Sequence, residues 1–579
     1  MHLIQRILSA SVLLVIGGIA AAGQPVIDAT TGRAIANPPP ARWFDHLHMK
    51  LELDIPDMTV PWLRGRETLT LDAIGAPRER LALDAEEMHI EAVSRDGRPL
   101  AYSHDGKRLV IVLEPAAVPG EPVDIVIEYT LDDPTADGNG LRWSTGDPAG
   151  EGETARAPQI QVTGQPKYNR RWYACHDFPN ERLTTELIVT VDGKFQVCSN
   201  GRLVGKGRSE DGRTVWRWLQ DKPHVNYLVT LVIGRFDIVG VGGPGSARPG
   251  LAMPVYVPVG AGEHAKEVFA ATPKAIAFLE ELFDEPYPWD KYAQLCVRNF
   301  NWGGMENTSA TMLSERAALA KPGTQDNLIV HEAAHQWTGD LLTCKSWGHL
   351  WLNEGWATYS VALWQEHLAD EADKDSAYMN VVRRWYEGQR RSNRTTAPND
   401  PAMVSTRYLD SEEVFSKANN PYSKGAFMLH MLRMQLGDEL FFRATHEYID
   451  RFKFKEVETD DFRGVFEDVS GVNLERFFGQ WAYRPGMPRL SVDFKWFSES
   501  GELSISVEQT QTLNADNPAF AFELPVEITT EDGASRMLTV WVDQRISEQR
   551  FTLDSPPSKA TVDPKMTVLA GHEIRKDLN

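Results

Sequence analysis

The chain has 579 residues, of which 42 % are hydrophobic and 24 % charged, and a formal net charge of −21. That length exceeds one hydrophobic core, so roughly two to four domains are expected. The acidic balance argues against nucleic-acid binding, which wants a basic face, and 17 Trp in so apolar a chain argue against disorder.

Taken in order, the chain opens on Arg6, an apolar run from Ile7 to Ile19 and the small residues Ala20-Ala21-Ala22. A basic start, a short apolar stretch and small residues at its end read as a secretory signal peptide over residues 1–22. An uncleaved amino-terminal anchor is the alternative. Export to the periplasm or the exterior is therefore predicted. No Cys stands just after the run, which argues against a lipid anchor, and no later stretch is long and apolar enough to span a membrane.

Residues 23–245 read as a β-rich domain. Leu47, Met49, Leu51, Leu53 and Ile55 alternate with polar residues, as do Val123, Ile125, Ile127 and Tyr129, and later Leu187, Val189 and Val191. Period-two alternation marks half-buried strands. Asp96-Gly97, Asp105-Gly106, Asp192-Gly193 and Asp211-Gly212 supply the turns.

After the Gly/Pro-rich stretch Gly240 to Gly250 the pattern turns helical, first over Ala265 to Phe283, and stays mostly helical over residues 246–488. Thr459 and Asn473 are placed as N-caps. Arg484-Pro485-Gly486-Met487-Pro488 ends this region. Residues 489–579 alternate again, through Leu490, Val492, Phe494 and Trp496 to Phe522, Leu524, Val526 and Ile528, as a small antiparallel sandwich. The four cysteines, Cys175, Cys198, Cys296 and Cys344, form no metal spacing. Cys175 and Cys198 could pair, although buried free thiols are the expected state.

The chemistry begins at His331-Glu332-Ala333-Ala334-His335, in an apolar segment from Leu328 to Trp337 with Gly339 expected at its C-cap. Residues i and i+4 share a helix face, so His331 and His335 can aim both imidazoles at one ion. Glu332 lies about 100° around the helix from His331, poorly placed as a ligand but able to reach a water on that ion. Glu354 comes nineteen residues after His335, where a second helical pattern runs to about His367, and can complete a two-His, one-Glu set. Nitrogen and oxygen donors favour zinc, one ion per chain, and three protein ligands leave a catalytic position open. His349 is read as structural.

His331-Glu332-x-x-His335 with eighteen residues before Glu354 resembles the M1 family of zinc aminopeptidases, in the gluzincin group. Gly303-Gly304-Met305-Glu306-Asn307 matches that family's G-x-M-E-N exopeptidase motif. Pro421-Tyr422-Ser423-Lys424-Gly425 resembles the element that carries its catalytic tyrosine. Gln165 sits where the family keeps a Gln or Glu beside the substrate amine, and it precedes Cys175-His176-Asp177-Phe178-Pro179, similar to P-C-x-D-x-P. The order matches over roughly residues 43 to 490. Ala174 departs from the usual Pro, and Asn301-Trp302 from the usual residues before the glycines, where they border the first specificity pocket.

The resemblance implies an α+β multidomain protein: a β-rich amino-terminal saddle, a thermolysin-like, mostly helical catalytic domain and a β-sandwich. Many relatives add a large helical domain, which this chain is expected to lack. The implied activity is hydrolysis of the first peptide bond of peptides with a free amino terminus. Glu332 would be general base and Tyr422 would stabilise the oxyanion. Glu306 and Gln165, with Gly303, Gly304 and Met305, would bind the substrate. Two other readings are a relative that hydrolyses epoxides or larger peptides and an inactive member used for binding. The intact ligands, base and amine reader argue against the latter.

Overall fold

A computed structural model describes residues 37–134, 139–147, 155–393, 402–408, 410–415, 420–515 and 517–576. The expected signal segment, residues 1–22, lies outside them. The fold is α+β, with strands first, helices in the middle and strands last.

The amino-terminal region is built on an eight-stranded sheet. Its first strand, Phe44–Asp54, lies between Trp62–Ala73, antiparallel, and Arg182–Val191, parallel. Met49, Leu51 and Leu53 point into the core as the alternation predicts, and Ile55 just beyond them is buried too. Leu47 does not: it is 38 % exposed. A register shift between His46 and His48 inserts one residue, so the buried face passes from Phe44 and His46 straight to Met49. Two smaller sheets, of four and three strands, pack beside it.

The middle region contains a five-stranded mixed sheet that alternation could not reveal. Ala293–Val297 and Ala310–Ser314 pair in parallel, and all but Ser314 are buried. A strand covered on both faces reads as a continuous run rather than as period two. The helix expected over Ala265 to Phe283 is two helices, Gly262–Val268 and Thr272–Phe283, with Pro273 in the first turn of the second. Proline is accepted there because its missing N–H has no intrahelical partner to lose.

Both expected N-caps fall one residue out. Glu458 caps the helix Thr459–Ser470 through a reciprocal capping box with Asp461, leaving the Thr459 hydroxyl free to accept from Trp351 Nε1 at 2.9 Å. His349 Nδ1 also meets that hydroxyl, which supports its structural reading. Asn473 lies just before the cap Leu474 of Glu475–Trp481, and its Oδ1 accepts the Glu475 N–H.

The last block is two sheets, of four and three strands. One pairing departs from the antiparallel expectation: Arg489–Phe497 runs parallel to Gly571–Lys576. The apolar interior falls into two bodies. One fills the amino-terminal region and reaches into the middle one through Leu295, Met312 and Trp347. The other runs unbroken from the helices into the sandwich, joining Phe478, Trp481 and Met487 to Leu490, Val492 and Phe522. The four cysteines are buried free thiols. Among the described residues no helix is long and apolar enough to cross a membrane.

Arg182 ties the amino-terminal sheet to the helices. Its buried guanidinium donates to Asp340 O at 2.9 Å and Thr343 Oγ1 at 2.7 Å and pairs with Glu456 at 2.8 Å. These charge-assisted contacts hold one relative position of the two regions.

Candidate metal centre and substrate cavity

The helix Asp326–Ala334 carries His331 and Glu332, and His335 is its C-cap, still in helical conformation. The helix therefore ends earlier than Gly339, whose N–H bonds instead to Leu342 O in the following turn. One turn apart, the two imidazoles converge, with Nε2 atoms 3.2 Å apart. The helix Trp351–Leu368 packs against this one and presents Glu354 from its first turn. Glu354 Oε2 is 3.5 Å from His331 Nε2 and 3.3 Å from His335 Nε2.

That triangle suits a tetrahedral ion. Ligands about 2.0–2.2 Å from a zinc stand about 3.3–3.6 Å from one another, and the three edges are 3.2, 3.3 and 3.5 Å. Glu354 Oε2 is buried with no hydrogen-bond partner of ordinary geometry, an orphan that a cation would satisfy. His335 Nδ1 lies 3.0 Å from Thr338 O, so its N–H donates there and fixes the ring with Nε2 toward Glu354.

The charges agree. Burial pushes the Glu332 carboxyl well above the usual range, and Glu306 and Glu354 add to it. Burial opposes charge on His335 too, but the Glu306, Glu354 and Glu332 carboxylates outweigh it and lift its imidazolium to about 10. Burial also works against Glu354, yet the two histidines hold its carboxyl down to about 2. This buried cluster is short of positive charge, and a divalent cation supplies it.

Two glycines bring the last groups in. A Cβ on Gly355 would lie 3.0 Å from the Gly425 carbonyl carbon, and one on Gly425 would lie 3.0 Å from Gly355 Cα. Only at this closeness does the helix Ser423–Leu436 bring Tyr422, its N-cap, to the Glu354 helix. The Tyr422 ring stacks on His331 with centroids 6.3 Å apart. Burial, then Glu354 and Glu306, push the Tyr422 phenol well above its usual pKa, so it is a donor.

Glu306, Glu332, His331, His335, Glu354 and Tyr422 line one cavity of ≈ 240 Å³, together with Gln165, Gly303, Gly304 and Met305. All ten residues singled out in the sequence thus meet at one place. Gly304 is needed for contact: a Cβ there would lie 2.2 Å from Glu332 Cδ. Glu306 is 3 % exposed, and its Oε1 accepts from Gln165 Nε2 at 3.3 Å and from the Tyr227 hydroxyl at 3.4 Å.

Three residues that the sequence did not flag hold this arrangement. Gln336 follows His335 and donates to Glu306 O at 2.9 Å, while its Oε1 accepts from Ser309 N at 2.8 Å. Asn353 precedes Glu354 and donates to Tyr227 at 3.2 Å. Tyr227 lies far off in sequence, and no local signal points to it.

The peptidase family M1 domain matches residues 268–481, which span the triangle, the cavity glycines and Tyr422. Similar proteins include aminopeptidase M1-C of Oryza sativa subsp. japonica, 26 % identical over 83 % of this chain and 54 % of that protein. Another is probable aminopeptidase 1 of Saccharolobus solfataricus, 26 % identical over 72 % of this chain and 51 % of that protein. The chain thus spans about half the length of the curated relatives it matches. A solved M1 zinc metallopeptidase from Deinococcus radiodurans, a mutant bound to a Tyr-Ser-Ala substrate, superposes with a TM-score of 0.62 at 22 % identity. The match covers 76 % of this chain and 94 % of that one, and shows that most of the chain shares that fold.

Proposed function

We propose that the chain is a zinc aminopeptidase that removes the first residue of peptides with a free amino terminus. The observation that carries this reading is the His331–His335–Glu354 triangle with zinc-like edges, in a cavity whose wall also holds the paired Glu306 and Gln165. His331, His335 and Glu354 would hold one zinc. When bound, the ion would acidify a water and polarise the scissile carbonyl.

The remaining steps belong to side chains. Glu332 accepts a proton from the attacking water as the O–C bond forms, then passes it to the leaving amine nitrogen as the C–N bond breaks. The Tyr422 hydroxyl donates to the carbonyl oxygen as it becomes negative. Glu306, with Gln165, binds the substrate ammonium. A carboxylate this buried demands a cation, which limits cleavage to one residue from the end. Export belongs to the same proposal, resting on Arg6, the apolar run and the small residues after it.

The test is a panel of aminoacyl substrates with and without a chelator, beside elemental analysis. Turnover that tracks about one zinc per chain is expected, and acetylating the substrate amine should abolish it. Glu306→Ala should lower kcat/KM for unblocked substrates. Activity intact in chelator on zinc-free protein, or equal cleavage of blocked peptides, would overturn the reading.

A further inference from the structure

The cavity holds one carboxylate that the proposed chemistry leaves unused. Glu412 stands on a short 3-10 turn, Ser411–Phe415, and lines the same cavity as Glu306. Its Oε1 accepts a 2.7 Å hydrogen bond from the Tyr168 hydroxyl. The cations of the same loop are engaged elsewhere: Lys167 pairs with Asp410, Arg170 with Asp177, and Arg171, which lies over the Tyr168 ring, with Glu86 and Glu87. Among the described residues no Lys, Arg or His forms an ion pair with Glu412. A carboxylate offers acceptors only, and Tyr168 uses one of them.

Position says which part of a substrate it meets. Tyr168 lies three residues beyond Gln165, whose amide reaches Glu306. The hydrogen-bond partner of Glu412 and the residue on the amine side thus belong to one loop. The ammonium and the first side chain leave the same α-carbon, so a substrate anchored at Glu306 and Gln165 carries its first side chain along this wall. Pro166, Trp302 and Phe415 line the same cavity as Glu412, and Trp302 is 52 % exposed.

We propose that, granted the aminopeptidase reading, the site selects peptides whose first residue is lysine or arginine, with Glu412 receiving the cationic head. The methylene stem lies along Pro166 and Phe415, as long cationic side chains do on apolar surface. The Trp302 ring adds an electron-rich face for the charge. The chain's acidic balance favours approach of such substrates.

The experiment uses the full-length, zinc-loaded protein and two anilides with the same stem, lysyl and norleucyl, differing in the terminal charge. The wild type should prefer lysyl in kcat/KM by at least about tenfold, and Glu412→Gln should shrink that ratio about 10- to 100-fold, the range for a lost hydrogen bond to a charged group. A wild-type ratio near one overturns the proposal while leaving the aminopeptidase reading intact, and this arm needs no variant to fold. An unchanged ratio in Glu412→Gln, with both substrates slowed alike, overturns it too, because Glu412 would then only hold its loop. Alanyl-lysyl against alanyl-norleucyl peptides guard the register: a preference appearing only there would assign Glu412 to the second residue and overturn the proposal. No turnover of any substrate would sink the aminopeptidase reading itself.

Discussion

The two sides of the cavity are built differently. On one side His331, Glu332, His335 and Glu354 come from two packed helices, with spacings set by the helical repeat. On the other, Gln165, Glu306 and Glu412 come from separate loops and short turns, held by long-range hydrogen bonds from Gln336, Tyr227 and Tyr168. Groups that move protons or hold an ion need fixed geometry, and regular elements give it. Groups that read a substrate can sit on loops, provided the scaffold reaches out to hold them.

Variants on the two sides should therefore fail differently. The largest effect belongs to the helices. Glu332→Gln should keep its zinc and lose about 10²- to 10⁴-fold in kcat, the usual contribution of general acid–base catalysis. His335→Ala should lose the zinc as well. Glu332→Gln protein that purifies without zinc would show that Glu332 supports the ion rather than the proton transfer.

Tyr422 stands at the seam, and its removal should look like a helix-side loss. Tyr422→Phe should depress kcat about 10²- to 10³-fold, as loss of one oxyanion donor does, with KM and zinc content nearly normal. If only the melting temperature moved, the hydroxyl would be a packing group.

Gly304→Ala asks whether the loop side can disturb the helix side. The new methyl would lie 2.2 Å from Glu332 Cδ and must displace the carboxylate. A misplacement on the order of 1 Å can cost up to about 10²-fold, so kcat should fall by less than in Glu332→Gln, with zinc retained. Unchanged kcat would mean that Glu332 has room to move and remain a base.

The smallest effect is expected for Gln336→Ala, a helix-side neighbour that acts on the loop side. Losing its bonds to Glu306 O and Ser309 N should raise KM several-fold and cost about 1–3 kcal/mol of stability, with kcat spared. A kcat loss as deep as that of Glu332→Gln would erase the distinction between the two sides.

The same contrast governs what could be read from the sequence. The triangle was legible because helix geometry turns the spacing of His331, His335 and Glu354 into position. Alternating strands were legible for the same reason, until a bulge turned Leu47 outward. The strands Ala293–Val297 and Ala310–Ser314 were not, since burial on both faces erases alternation. Glu306, Gln165 and Tyr422 were found through resemblance rather than spacing. Tyr227 and Glu412 carried no signal of either kind, because their positions depend on contacts between segments far apart in the chain. The cap at Thr459 missed by one residue because Glu458 and Asp461 satisfy each other first, and Asn473, which accepts the Glu475 N–H, stands one residue before the cap Leu474.

The continuous interior shared by the helices and the sandwich bears on how the protein is made. A ribosome delivers the helices first, with Phe478, Trp481 and Met487 still uncovered. The strands that cover them emerge later, and Gly571–Lys576 must return to lie beside Arg489–Phe497. The nascent chain therefore carries an unfinished apolar seam until the sandwich strands have emerged, the kind of surface that recruits chaperones and aggregates. Ribosome-stalled chains ending before Gly571 should stay protease-sensitive across the helices, whereas chains extended through Lys576 and clear of the exit tunnel should become resistant. Early resistance would show that the helical region closes without its cover.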